Sequence, residues 1–296
     1  MTSGNISFPR RDKEFKRWLV EEYFICGSVD EVLRKYRWGL PISYAGYQRV
    51  LDEKGIIKTA GPNSRLNEIL DFLTTLAEKN IPFEYLYKKM PPSFKASAAT
   101  IYRILGYIKE GVTRRLATGL IITPYQNDKR VLIAEDISTP RLDLGKPFGA
   151  LSIPMGFSKK SDPREDAILR VLQQEVFTKD AIEGRVPEVV PPRPKPFMYL
   201  DIADVRVEIF HISLPQKLSK GGSLFSYKLK NYSFVPIDSP EVLEKRQEGF
   251  RVGVLEAISG YKKYLGLKDR NLVFNPLQLK SRLNYFLKSE EPFPFR

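Results

Sequence analysis

The first 115 residues carry one arrangement twice, and that repeat constrains the fold more than any other feature. Shifted by 54 positions, three consecutive stretches align without a gap. Phe15, Trp18 and Leu19 fall on Ile69, Phe72 and Leu73. Val29, Asp30, Val32, Arg34 and Lys35 fall on Phe83, Glu84, Leu86, Lys88 and Lys89. Ser43, Ala45, Arg49, Val50 and Leu51 fall on Ser97, Ala99, Arg103, Ile104 and Leu105. A constant offset that preserves apolar spacing asks each copy to be the same small unit. In the first copy, Phe15, Trp18, Leu19 and Tyr23 have the spacing of an amphipathic helix that ends at Gly27. Ser28 or Asp30 caps a short second helix, DEVLRKY. A turn at Trp38–Pro41 follows, and Ser43 caps a third helix that stops at Gly55. The second copy predicts helices over Leu66–Lys79, Phe83–Lys89 and Ser97–Lys109. The units span 10–60 and 64–112.

Helix, short helix, turn, helix is the outline of a helix-turn-helix DNA reader. The segments SYAGYQRVLDEKGI and SAATIYRILGYIKEG resemble recognition helices of that superfamily. If Val50, Leu51, Ile101, Ile104 and Leu105 face the core, then Tyr44, Gln48 and Arg49 project outward, as do Thr100, Tyr102 and Arg103. Gln and Thr can read base edges, while Arg and Tyr hold phosphates. Two linked readers also raise the effective concentration of the second contact. The competing reading is a helical bundle for protein contacts, its exposed arginines merely solvated.

Charge bears on that choice. The 296-residue chain has a net charge of +13, and residues 1–115 hold 20 Lys and Arg against 13 Asp and Glu. A polyanionic partner follows, duplex DNA first, with RNA open because a basic helical face grips either backbone. Hydrophobic residues at 42% exclude global disorder. A single cysteine, Cys26, and a single histidine, His211, exclude an internal disulfide and a zinc site built from several Cys and His ligands. No apolar run approaches the roughly 20 residues a membrane span needs, and the opening residues lack a signal-peptide core, so a cytoplasmic location is expected and no membrane partner.

From about residue 116 the pattern changes to short β-branched runs. ATGLIITP and KRVLIAED flank a turn and predict a hairpin; ALSIPMGF predicts one further strand. A helix opens at Asp162–Pro163, FMYLDIADVRVEIFHISL supplies two strands, and residues 240–265 read as helical. The fold class is thus multidomain: all-α repeats, then an α+β domain with a mixed sheet over 116–288.

Within it, Ile153-Pro154-Met155-Gly156 leads into Asp162, Arg170, Leu172 and Glu175 at a spacing that resembles the Nudix box, G-x5-E-x7-R-E-U-x-E-E-x-G-U with U aliphatic. The box occupies 156–178. The resemblance implies a Nudix fold, and Gly156, Asp162, Arg170, Leu172 and Glu175 are its expected structural residues. It also implies Mg²⁺ held by carboxylates on one helix face, at positions here filled by Val171, Gln174 and Glu175. One apolar residue, one amide and a single carboxylate make a poor site for a hard cation. Phe177 replaces the helix-ending Gly, and Asp166 is the expected ion-pair partner of Arg170. Glu183, Asp201, Asp204 and Glu208 are the acids available to replace the missing ones. The expectation is therefore a regulator with no cofactor, catalytic residue or metal. Its degenerate domain senses a nucleotide-type effector or serves as a scaffold for a homodimer. The alternative is a Mg²⁺-dependent Nudix-type hydrolase of nucleoside-diphosphate compounds, working through Glu175. His211 and Cys26 read as structural, residues 187–196 as a proline-rich connector, and Lys217–Tyr232 as a loop with a phosphate-gripping alternative.

Overall fold

In the computed structural model, residues 8–9, 11–36, 39–58, 115–140, 144–219, 224–239, 249–269 and 275–284 are described. The second helical copy, with Thr100, Tyr102 and Arg103, lies outside the described residues, as does Trp38.

In the first copy the helices are α1 (Asp12–Cys26), α2 (Val29–Lys35) and α3 (Tyr44–Glu53). Gly27 ends α1 in a left-handed conformation, φ 86°, where its N–H donates to the Tyr23 carbonyl. Ser28 caps α2 by accepting from the Glu31 N–H, and Ser43 caps α3 by accepting from Gly46. Leu19, Val20, Tyr23, Phe24, Val32, Val50 and Leu51 form the core, and the buried Tyr47 hydroxyl donates to the Leu19 carbonyl.

The remaining elements are β1 (Arg115–Thr123), β2 (Arg130–Asp136), β3 (Leu151–Ser152), β4 (Met155–Ser158), α4 (Arg164–Glu175), α5 (Thr178–Glu183), β5 (Met198–Ile202), β6 (Val205–Ser213), β7 (Leu229–Pro236), α6 (Val254–Asp269) and β8 (Leu277–Lys280). They build a five-stranded mixed sheet, β4-β1-β6-β5-β8, and a three-stranded antiparallel sheet, β3-β2-β7. Strand β1 runs parallel to β6 and antiparallel to β4; β5 is antiparallel to β6 and parallel to β8. On one face of the large sheet, Leu120, Ile122, Phe210 and Ile212 pack with Ile168, Val171 and Leu172 of α4. On the other, Ile121, Met198, Leu200 and Ile209 pack with Ala257, Ile258 and Tyr261 of α6. Ala181 and Ile182 of α5 complete the core of the three N-terminal helices.

Two sequence expectations change. The expected hairpin does not form: β1 pairs on both edges within the large sheet while β2 joins the small one. The apolar run Leu120–Ile122 is buried on both faces, which suits a central strand rather than half of a surface hairpin. ALSIPMGF is two strands in different sheets, broken at Ile153–Pro154, because proline cannot donate to a ladder. Of the residues 240–265 expected to be helical, 240–248 lie outside the described residues; helix α6 begins at Val254, and Phe250 just before it forms a bridge with Leu151. Strands β7 and β8 were not foreseen.

Candidate functional site

Residues 156–178, whose spacing resembles the Nudix box, form a loop ahead of α4 and then run down that helix. Arg170, buried, is its pivot. Its Nη2 pairs with Asp162 Oδ2 at 2.7 Å, its Nη1 approaches the Phe157 carbonyl at 3.5 Å, and its Nε donates to the Lys58 carbonyl at 2.7 Å. Asp162 also accepts from the Lys159 N–H at 2.8 Å. The partner of Arg170 is thus Asp162 and not Asp166: a turn ahead of the helix, Asp162 is already fixed by backbone and aims its carboxylate at the guanidinium. Leu172 is buried in the core beneath the sheet. At Gly156 an added Cβ would meet Val171 Cγ2 at 3.5 Å, ordinary contact, so packing there does not demand glycine.

Beside Arg170, Gln173 faces the N-terminal helices. Its Nε2 donates to the Gly55 carbonyl at 2.7 Å and its Oε1 accepts from the Ile57 N–H at 2.9 Å. Arg17 and Glu183 pair at 2.8 Å, and the Tyr227 hydroxyl donates to Glu21 at 2.8 Å. The segment that follows α3 is thereby bonded to the box helix.

One step along α4 the surroundings invert. Val171 is buried among apolar side chains. Gln174 Oε1 accepts from Lys228 Nζ at 2.6 Å, and its buried Nε2 has no partner. Glu175 Oε2 accepts from the Met155 N–H at 2.7 Å. Asp136 lies nearby with Lys146 at 3.4 Å and Arg251 at 3.7 Å, while its other oxygen accepts from the Ser138 N–H and hydroxyl. The backbone explains how Lys146 and Arg251 flank one carboxylate. Gly145, at φ 59°, lies so close to Val252 that a Cβ would fall 2.0 Å from its Cγ2, and the Val252 N–H donates to the Gly145 carbonyl. The neighbouring side chains therefore start from one point.

Electrostatics follow burial. Desolvation raises the Glu175 carboxyl above its ordinary value against the pull of Lys228. Desolvation likewise lowers the Lys228 ammonium, opposed by Glu175 and Asp136. Lys146 is lowered to about 8 by desolvation, with Arg251 adding to the effect.

This constellation does not fit Mg²⁺. A divalent cation beside Glu175 would face Lys228 and Arg251 as like charges, and Gln174 offers its one carbonyl oxygen to the lysine already. The acids that might have replaced the missing ligands are engaged elsewhere: Glu183 with Arg17, Asp201 with Arg206 at 3.0 Å, Glu208 with Arg164 at 3.1 Å, and Asp204 with Arg115. Among the described residues no group of three His, Cys, Asp or Glu side chains is close enough to hold a metal ion.

The first helical copy turns Tyr44 and Arg49 to solvent, with Gln48 half-buried beside them. His211 lies within reach of the Thr123 hydroxyl at 3.0 Å and the Tyr261 hydroxyl at 3.1 Å, and burial lowers its pKa. Cys26 packs at the edge of the helical core. Of Lys217–Tyr232, the Tyr232 hydroxyl donates to the Glu175 carbonyl at 2.7 Å and Phe225 is exposed. Sequence reading missed Asp136, Lys146, Lys228, Arg251 and the joint at Gln173. The sole local signal was the lysine-rich, aromatic stretch that contains Lys228.

No protein-family model matches the chain, and no curated protein sequence does. Solved structures do. The MutT protein from Methanosarcina mazei Go1 is 11% identical, with 52% of this chain and 96% of that one covered at TM-score 0.36. An ADP-ribose pyrophosphatase from Streptococcus suis 89-1591 is 15% identical, covering 57% and 99% at TM-score 0.35. The NUDIX domain of Shewanella oneidensis NrtR, solved with ADP ribose, is 15% identical, covering 57% and 99% at TM-score 0.35. Among the described residues no helix is long and apolar enough to cross a membrane.

Proposed function

We propose that the protein is a DNA-binding transcription regulator whose Nudix-like domain recognises a nucleotide-type metabolite without hydrolysing it. The observation that carries the reading is α3: capped by Ser43 and anchored through Tyr47, Val50 and Leu51, it presents Tyr44 and Arg49 to solvent. Exposed guanidinium and phenol groups on one helix suit phosphate contacts, and Gln48 between them suits a base edge. The bonds from Arg170 and Gln173 to residues 55–58 support coupling, because a ligand that moves α4 acts on the segment that ends α3.

The test is a salt-titrated binding assay of the full chain on duplex DNA and RNA from its own genome. Saturable preference for particular duplexes is expected. Arg49→Ala combined with Arg103→Ala should weaken binding and lower the slope of log K against log salt by about 0.9 per lost phosphate contact. Unchanged binding by the double variant overturns the placement.

Glu175, which keeps one carboxylate of the box, favours a second reading, a Mg²⁺-dependent hydrolase of nucleoside-diphosphate compounds. Hydrolysis by the unaltered chain would establish it. Hydrolysis that appears only in Val171→Glu with Gln174→Glu would mark the natural site as silent.

A further inference from the structure

The charged cluster at the end of α4 has more donors than acceptors. Three cations, Lys146, Lys228 and Arg251, surround two carboxylates, Asp136 and Glu175. Both carboxylates are already used: Asp136 by Ser138, Lys146 and Arg251, Glu175 by the Met155 N–H. Lys228 meets the neutral amide of Gln174 at 2.6 Å. A lysine can only donate, so it fixes the amide with Oε1 toward itself and Nε2 away. Among the described residues that Nε2 and Arg251 Nε are both buried N–H donors without a partner. Gln174 itself is 8% exposed. What completes such a set is a group rich in acceptors, negatively charged and with no proton to give.

We propose that this cluster binds the phosphate oxygens of its ligand directly, with Lys228 and Arg251 supplying the positive charge that a divalent cation supplies at a carboxylate site, and Gln174 Nε2 donating a further hydrogen bond. Ammonium and guanidinium groups are established phosphate partners, and a doubly charged diphosphate suits a site with one excess positive charge better than a neutral ligand does. Lys146 neutralises Asp136, which would otherwise repel the anion. The proposal deepens the metabolite-sensing half of the proposed function and does not depend on DNA binding.

The experiment titrates the full chain with inorganic pyrophosphate by calorimetry in excess EDTA. Saturable binding without any divalent cation is expected, weakened about tenfold or more in Lys228→Met, which removes the charge at similar length. Gln174→Glu serves as the second variant. It keeps the side-chain volume and gives Lys228 a carboxylate partner, so it holds the fold, yet it exchanges the free donor for a repelling acceptor. Its affinity should fall by a comparable factor with circular dichroism unchanged. No binding in EDTA at millimolar pyrophosphate overturns the proposal, as does equal affinity in Gln174→Glu, or binding that needs Mg²⁺. DNA affinity, measured in the same buffer without pyrophosphate, stands or falls separately.

Discussion

Helix α4 meets two quite different surroundings on adjacent faces. Toward residues 55–58, Arg170 and Gln173 find a fixed oxygen or N–H for every polar atom they present, and the contacts are with backbone. Toward the small sheet, Gln174 and Glu175 meet side chains drawn from four other parts of the chain, with two buried donors left over. Measured against the Nudix box, the half that shapes the loop is present as Arg170 and Asp162. At the positions where that box carries metal-binding carboxylates this chain has Val171, Gln174 and Glu175, beside a basic cluster. The face satisfied by backbone acts as a joint; the other keeps surplus donors. If the cluster takes a phosphate ligand as proposed, the same helix holds the segment after α3 on one face while meeting that ligand on the other.

The contrast breaks first at Arg170. Replacing it with alanine strands the Asp162 carboxylate, 15% exposed at its side chain, and frees the Lys58 carbonyl. Removing one partner of a buried ion pair costs about 3–5 kcal/mol. A matching loss in a urea unfolding curve is expected. Arg170→Lys should recover only part of it, because an ammonium cannot span Asp162, Phe157 and Lys58 as a planar fork does. A loss under about 1 kcal/mol would mean that the joint is decorative.

Which parts of this could be read from the sequence follows the range of the interactions. Gly27, Ser28 and Ser43 were legible because a cap is settled within four residues. The box spacing was legible because Asp162 and Arg170 lie on one turn and its helix. Strand pairing was not: a turn after Thr123 announces a reversal but does not say which sheet receives the next strand, and β1 found β6 some 90 residues on. Strand β7, LKNYSFVP, exposes much of its length at a sheet edge and so lacks clean alternation. Lys146, Lys228 and Arg251 are each unremarkable locally. They converge through Gly145 against Val252 and through the bend before β7, contacts that no periodicity encodes.

The charged face carries its own pH signature. Lys146 has a folded pKa of about 8, against 10.5 in the unfolded chain. Between those values the unfolded state binds more protons than the folded one, so stability rises with pH across that window. At about 1.4 kcal/mol per unit the gain approaches 3 kcal/mol. Lys228 is shifted in the same direction, whereas Glu175, raised, acts with the opposite sign as pH climbs from 4.5. Lys146→Met should flatten most of the rise between pH 8 and 10.5 in the urea midpoint while leaving the acid side intact. A midpoint of the unaltered protein that does not climb there would refute the buried placement of Lys146.

The joint can also be loosened without touching a charge. Gln173→Leu fills the same space but leaves the Gly55 carbonyl and the Ile57 N–H without their partner, at a cost of about 1–3 kcal/mol. Amide exchange separates this from a general loss of stability. The Ile57 amide, which now donates to Gln173 Oε1, should exchange faster in the variant, while the amide of Tyr47, inside α3 and bonded to the Ser43 carbonyl, should keep its rate if α3 stays folded when the joint opens. If both accelerate together, the N-terminal helices and α4 open as one unit. If the Ile57 amide alone accelerates, the joint opens by itself, and a ligand at the far face of α4 has a hinge on which to act.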